Sequence, residues 1–534
     1  MSQPTGAIAV PLMLLVAALS VVARRFRVPS PMLMLVAGTA IAFVPWIPPV
    51  RIEPSLVLLW LLPPLLYSSG VGMSWRGFRS NLRPIMLLAI GCVLVTAGGV
   101  AVAVHVALGV PWAVGFVLGA IVSPPDAVAP IAILRTLNLP RRLVTVLEGE
   151  SLVNDATALV ALSFATTAVA TGSFSPGPAA LEFVVIVACE IAFGIVIGWL
   201  TLRIRHLASD ARAEILLALA TPYVAFWPAH AIGGSGVIAC VAAGLYVSWN
   251  GRRLIRPATR LQGYFIWDLI VWATEAVIFL LAGLQARTVF AALSEGPWSR
   301  ALVAGALTTV TVVVVRFAWV YPATYLPRLL VPAIRRRDPP PNWRFPFLVS
   351  VCGLRGAVSL VAALLVPVAV GDAAFPDRNL VLFATYCVVA CTLIGLGAAL
   401  PVVVKGLRLD RISVDEADHN ARDEREARLE GIDAMLRAVG DTTAPSPPHA
   451  ARLRVADELH HRADLIRGRI DGRARADDDG DEDDDGLWLR AIEAERGAIA
   501  DAYEANRITD EARRRIEREL DLEEAHLRER GASR

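Results

Sequence analysis

Residues 148–170 read EGESLVNDATALVALSFATTAVA, a run apolar enough to cross a membrane that nevertheless carries Ser151, Asn154 and Asp155. Ser151 and Asp155 are four residues apart and share one helix face. Asn154 is turned about 100° from Asp155 and must meet a different neighbour. An ionised Asp at the centre of a membrane helix costs on the order of 3 kcal/mol, so it needs either a buried Arg partner or a task. A second run, WAVGFVLGAIVSPPDAVAPIAIL, places Pro124, Pro125 and Asp126 near its middle. Two prolines remove two backbone donors and free the carbonyls a turn earlier. Irregular backbone survives at that depth only where protein or a water-filled cavity satisfies it. Asp126 therefore has two readings: a cap on the following half-helix, or part of an ion site at an interrupted helix. Arg355, between Gly353 and Gly356, and Glu275 are lone charges in two further apolar runs. A mutual Glu275–Arg355 pair is the expected solution, with a structural role. Glu148 and Glu150 are expected to line the inner mouth beneath Asp155.

These residues amount to a carboxylate, a hydroxyl, an amide and loose carbonyls, an oxygen-rich set suited to a hard monovalent cation. A carboxylate shielded from water keeps its charge only beside a counter-ion, so a proton and a cation compete for the same oxygens. If the helices change access only when Asp155 is occupied, one exchanges for the other, and a single such group implies one proton per monovalent cation with no net charge moved. A cation channel would need no such titrating group. An intramembrane aspartyl protease using Asp126 and Asp155 would need both to share a proton and a water, and it leaves Asn154 and Ser151 without a role.

The elements that position these groups follow from hydropathy. The chain has 534 residues, 55% hydrophobic, with a mean hydropathy of +0.54, which indicates a polytopic membrane protein. Splitting residues 1–408 at charged and Gly/Pro joints gives about 13 spans of roughly 20 residues. Arginines test the count: Arg24, Arg25 and Arg27 follow span 1, Arg76, Arg79 and Arg83 span 3, and Arg135, Arg141 and Arg142 span 5. The alternation continues through Arg203 and Arg205, Arg252 to Arg260, Arg328 to Arg344, and Lys405 with Arg408. Basic joints at every second turn put those joints and the tail in the cytoplasm and the N-terminus outside. The first apolar run has no Lys or Arg before it, unlike a cleaved signal peptide, and is expected to be retained. Spans 5 and 12 are both interrupted and run in opposite directions, which suggests inverted repeats, spans 1–6 against 8–13, crossing at the site.

Residues 409–534 are crowded with Arg, Asp and Glu and read as a soluble module of amphipathic helices. TTAPSPP is a linker, and the acidic stretch near 477–486, DDDGDEDDDG within it, is a solvated flexible linker without the spacing of a calcium loop. The six cysteines lie in apolar runs without metal-ligand spacing and read as packing residues. Nucleotide, zinc and nucleic-acid motifs are absent, so the chain is expected to need no cofactor, not to be an enzyme, and to have no nucleic-acid partner.

The motifs GAIVSPPDAVAPIAIL, EGESLVNDATALV, TPYVAFWPAHAIGGSGVIACVAAGLYV, TEAVIFLLAGL and GLRGAVSLVAALLVP, with LLPPLLYSSG, together resemble the bacterial sodium/proton exchangers of the monovalent cation/proton antiporter superfamily. The resemblance covers the whole membrane part. It implies an all-α fold of 13 membrane helices with two crossed, interrupted helices, assembled as a homodimer in the inner (plasma) membrane. It implies exchange of Na⁺, with K⁺ or Li⁺ as alternatives, for H⁺ in pH and cation homeostasis. By motif, Asp155 resembles the exchanging carboxylate, Asn154 its partner in the electroneutral branch, Ser151 a cation ligand and Asp126 the acid of the unwound helix. A Na⁺ site at Asp155, Ser151 and Asp126 is thereby implied, and Glu275 with Arg355 resembles the buried ion pair. Three departures stand out: Pro125 replaces a usual Thr, so only its backbone carbonyl could serve, Ser68 replaces an acid, and His230 replaces a Glu.

Overall fold

The structure, a computed structural model, describes residues 6–26, 28–45, 57–134, 141–173, 176–208, 210–251, 254–255, 257–291, 298–370, 373–407, 410–440, 455–460, 462–463 and 485–532. Arg27, Arg135, Arg252, Arg253, Arg256 and Arg408 of the basic joints, the TTAPSPP linker and the acidic stretch as far as residue 484 lie outside the described residues. The chain divides into two compact units, Met1–Leu254 with Trp267–Asp410, and Ile255–Ile266 with Arg411–Arg534.

The first unit is built from apolar helices. In chain order they are α1 (Gly6–Phe26), α2 (Ser30–Ala42), α3 (Val57–Gly72), α4 (Leu82–Leu108), α5 (Trp112–Val122), α6 (Val128–Leu134), α7 (Arg141–Thr171), α8 (Pro176–Leu207), α9 (Ala211–Ala231), α10 (Val237–Asn250), α11 (Pro257–Leu284), α12 (Trp298–Leu330), α13 (Arg344–Val351), α14 (Ala357–Leu364) and α15 (Arg378–Leu407). Helix α11 begins in the second unit and continues into the first. Among the described residues, six runs of 27 to 33 residues, within or extending α4, α7, α8, α11, α12 and α15, are long and apolar enough to cross a membrane. At about 1.5 Å per residue they exceed a ~30 Å hydrocarbon core, leaving length for tilt or projecting ends. The remaining described elements include one antiparallel pair of two-residue strands, Ala369 opposite Ala374 and Val370 opposite Ala373.

Packing relies on small residues where backbones approach. A Cβ on Gly70 of α3 would lie 2.8 Å from Val241 O and 3.2 Å from Gly244 Cα of α10, so this crossing admits no side chain. Among the described residues, three wide π turns occur within the helices, at Val57–Leu61, Leu87–Cys92 and Thr392–Leu396. Such turns disturb the local hydrogen-bond ladder, and each has a polar partner from another segment. Trp227 Nε1 donates to Leu59 O at 2.9 Å, Trp319 Nε1 to Leu87 O at 2.8 Å, and Thr392 Oγ1 accepts from Arg355 N at 3.1 Å. On the joint after α12, Asp338 gathers Arg83, Arg142 (2.9 Å) and Arg328 (2.8 Å), tying the ends of α4, α7 and α12 together.

Deeper in this unit, Arg316 of α12 forms a two-pronged pair with Glu150 of α7, Nη1–Oε1 at 2.6 Å and Nη2–Oε2 at 2.9 Å. Arg316 also donates to Val349 O from Nη2 at 3.0 Å. Both side chains are 2% exposed, so Glu150 does not line an aqueous mouth as the sequence suggested.

The second unit consists of α16 (Asp410–Gly440), a short helical stretch at 455–460, α17 (Asp485–Glu504) and α18 (Asp510–Ala532). Ile432, Met435, Leu459, Ile492, Ile499 and Ile516 form its core. The charged sequence after residue 485 breaks into two helices at Asn506, whose φ of 65° is left-handed, and Thr509 Oγ1 then accepts from Ala512 N at 3.2 Å to start α18. The base of α11 belongs to this unit because Asp521, 1% exposed, accepts from Arg260 Nε at 3.0 Å and from Arg496 Nη2 at 2.7 Å. Nothing in the sequence pattern assigned Ile255–Ile266 to the tail.

Two expectations follow from this packing. Replacing Glu150 by Gln leaves a buried guanidinium uncompensated and is expected to cost about 3–5 kcal/mol. It should be read as a lower melting temperature in detergent, with much of the loss recovered by pairing it with Arg316→Met. In the second unit, burial pushes the Glu495 carboxyl up to about 7, with Glu523 and Glu519 adding to the rise and Arg428 and Arg462 opposing it. The folded unit therefore binds this proton more tightly than the unfolded chain does. Its stabilisation is complete below the ordinary carboxyl range and is lost as pH rises through about 7. Amide hydrogen exchange in α17 and α18 of the full chain, corrected for intrinsic rates, should be less protected at pH 8 than at pH 5.5 by on the order of 1–3 kcal/mol. Glu495→Gln should flatten that dependence.

Candidate functional site

Helix α5 stops at Val122 and α6 resumes at Val128, and α13 stops at Val351 while α14 resumes at Ala357. Pro124 and Pro125 account for the first break, since neither can donate to the helical ladder. The two breaks face each other. Asp126 N donates to Leu354 O at 2.7 Å, and Arg355 Nε donates to Val122 O at 2.6 Å. Gly356 makes this approach possible, because a Cβ there would sit 2.6 Å from Asp126 Cβ. Each interrupted helix thus supplies the partner for a backbone group left over by the other.

Asp126 caps α6, its Oδ1 accepting from Val128 N at 2.9 Å. Asn154 of α7 is fully buried and donates from Nδ2 to Pro125 O at 2.7 Å. The carbonyl next to Asp126 is therefore held by the residue that precedes Asp155. Asn154 Oδ1, on the other side of the amide, has no hydrogen-bond partner in the protein. Asp155 lines a small crevice with Ala120, Ile121 and Pro124 from the first interrupted segment and Val358, Ser359 and Ala362 from α14. Asp126 and Asp155 are within electrostatic reach of each other. Ser151 is half-buried one turn before Asp155 on the same helix and does not line this crevice.

The expected Glu275–Arg355 pair needs correction. Arg355 is fully buried and directs its side chain to carbonyls, Val122 O and Gly353 O (3.0 Å), rather than to a carboxylate. Glu275 on α11 has contacts of its own. A carbonyl-rich break can hold part of a guanidinium without a counter-charge, because its donors can donate to whichever oxygens the geometry offers; here Nε and Nη1 find carbonyls and Nη2 has no hydrogen-bond partner. A buried ion pair that the described residues do form in this unit is Glu150–Arg316, with Glu150 five residues before Asp155 on α7. Sequence reading passed over Arg316, although an Arg in the apolar run TTVTVVVVRFAWV carries the same signal that singled out Arg355. It also passed over Ser359, for which the sequence offers no signal, as serines are common in packed membrane helices. Glu190 serves packing, accepting from Ser235 N (2.5 Å) and Gly236 N (3.2 Å) at the start of α10. Among the described residues, no group of three or more His, Cys, Asp and Glu side chains is arranged to hold a metal ion.

Together these residues can present oxygens and a titratable charge at membrane depth, beside two helix breaks that share their hydrogen bonds. Comparison with known proteins bears on what such a site serves. The model of the sodium/hydrogen exchanger transmembrane family matches residues 12–406. An uncharacterized Na⁺/H⁺ exchanger of Mycobacterium tuberculosis is 34% identical over 519 residues, covering 95% of this chain and 93% of the relative. A Na⁺/H⁺ antiporter of Aphanothece halophytica is 31% identical, covering 81% of this chain and 79% of its own. A sodium, potassium, lithium and rubidium/H⁺ antiporter of Bacillus subtilis is 31% identical over 74% of this chain and 60% of its own. The solved sodium proton antiporter MjNhaP1 of Methanocaldococcus jannaschii superposes with a TM-score of 0.61 over 75% of this chain and 98% of that one, and at 16% identity it shares the fold. The family match over residues 12–406, with the Mycobacterium tuberculosis relative aligned along nearly the full length, establishes that the chain belongs to the sodium/hydrogen exchanger family.

Proposed function

We propose that the chain is a secondary antiporter that exchanges Na⁺ for H⁺ by competitive binding at Asp155, with alternating access and no net charge moved per cycle. The observation that carries this reading is the Asn154–Pro125 hydrogen bond, which locks the helix bearing Asp155 to the break bearing Asp126. That contact sets one carboxyl in the crevice and a second at a helix cap beside it. A proton and a cation are alternative ways of discharging Asp155 in a setting that otherwise holds few water-facing groups. Ser151 and the backbone around Pro125 and Asp126 are the candidate further ligands of a Na⁺ site at Asp155, Ser151 and Asp126. Arg316, neutralised by Glu150, adds no competing positive charge to that site.

The relative from Bacillus subtilis is named for four alkali cations, which supports K⁺ and Li⁺ as alternative substrates. In the proposed arrangement thirteen spans cross the plasma membrane, the N-terminus lies outside and the tail is cytoplasmic. The interrupted helices belong to inverted repeats, Glu275 keeps a structural role, and two copies form a homodimer. No cofactor is required, and the physiological role is pH and cation homeostasis.

In proteoliposomes with an imposed pH gradient, adding Na⁺ should dissipate the gradient with wild type, while Asp155→Asn should lose at least about 100-fold of the rate, as expected for removal of an essential proton-carrying group. Equal rates in the two proteins would refute the assignment of Asp155. A membrane-potential dye should show no potential generated during exchange, whereas a sustained potential would refute electroneutrality.

A further inference from the structure

Ser359 belongs to α14, the second interrupted helix, and was reached only through the structure. Its side chain is 1% exposed, it lines the crevice that holds Asp155, and its hydroxyl makes no hydrogen bond with the protein. Several other buried hydroxyls of this unit are satisfied by the carbonyl one turn back. Ser350 donates to Pro346 O at 2.8 Å, Thr385 to Val381 O at 2.8 Å, and Thr392 to Val388 O at 2.7 Å. Ser359 is only the third residue of α14, so the residue one turn back is Arg355, inside the break, where the carbonyl no longer follows the helical ladder. Leaving a buried hydroxyl without a partner is unfavourable, and each such group calls for an explanation. Thr308, Ser30, Thr259 and Tyr67 also have unpartnered hydroxyls, but none of them lines this crevice.

We propose that Ser359 is a specificity-determining residue, its hydroxyl oxygen being a neutral ligand that the second interrupted helix offers to the cation opposite Asp155. This rests on the exchange reading above. A hydroxyl has two acceptor lone pairs and one rotatable proton. It can therefore turn its oxygen toward a cation when Asp155 is ionised, and accept a hydrogen bond from the carboxyl O–H when Asp155 is protonated. It serves both forms without adding charge, and its distance from the carboxylate favours one ionic radius over another. The crevice would then draw oxygens from both interrupted segments, so that a change in their separation alters cation affinity.

The test uses the full chain in proteoliposomes, with initial proton flux measured against Na⁺, K⁺ and Li⁺ concentration. Ser359→Ala should raise the half-saturating Na⁺ concentration about tenfold, the scale of one lost polar contact. The maximal rate should change much less, and the order of preference among the three cations should shift. Ser359→Thr, which keeps the hydroxyl, should return the half-saturation toward wild type. A structural role would instead lower the yield, the melting temperature and the maximal rate together, leaving half-saturation and cation order in place. Wild-type half-saturation and cation order in Ser359→Ala, with Asp155→Asn inactive, would overturn the proposal and leave the exchange reading standing. Absence of cation-driven proton flux in wild type would overturn both.

Discussion

Backbone that is unwound at membrane depth must find its hydrogen bonds within the protein, and the membrane unit is organised around that constraint. Water cannot supply the missing partners there. The chain breaks two helices and sets the breaks against each other, so that Asp126 N meets Leu354 O and Arg355 reaches Val122 O. Gly356 has no side chain because any Cβ would collide with Asp126. The prolines that create the first break and the glycines that flank Arg355 are thus parts of one arrangement. Removing either break would strand the groups of the other.

Charge placement follows from the same arrangement. Carbonyls of the breaks take up Nε and Nη1 of the Arg355 guanidinium, while its Nη2 has no hydrogen-bond partner. Glu150 is free to pair with Arg316, and that pair fixes α7 against α12 one and a half turns below Asp155. Asn154 then ties α7 to the first break through Pro125 O. With α7 held at these two points, Asp155 is presented to the crevice by a rigid element, as a site that binds a small ion requires. On the proposed reading, the ion and the proton compete for a charge that the surrounding scaffold has left uncompensated.

Much of this was legible in the sequence, and the exceptions have physical reasons. Apolar runs and alternating arginines define a polytopic helical protein, because bilayer thickness and charge asymmetry act on short, contiguous segments. The break at Pro124 and Pro125, and the link from Asn154 to another helix, follow from local chemistry. The partner of Arg355 was misjudged because an arginine can be satisfied by carbonyls as well as by a carboxylate, and only the fold shows which are near. Ser359 was invisible because its lack of a backbone partner depends on where α14 starts, not on residue type. The inclusion of Ile255–Ile266 in the second unit turns on Asp521 and Arg260, which are 261 residues apart. No local pattern reports a contact of that range.

Competition between a proton and a cation for Asp155 is the central claim, and proton release on cation binding tests it most directly. Purified protein in weakly buffered detergent solution near neutral pH would receive Na⁺ while the pH is followed. The account predicts release of up to about one proton per chain in wild type, as linkage between the two ligands demands, and none in Asp155→Asn. Equal release from both proteins, or Na⁺ binding by wild type without proton release, would contradict it.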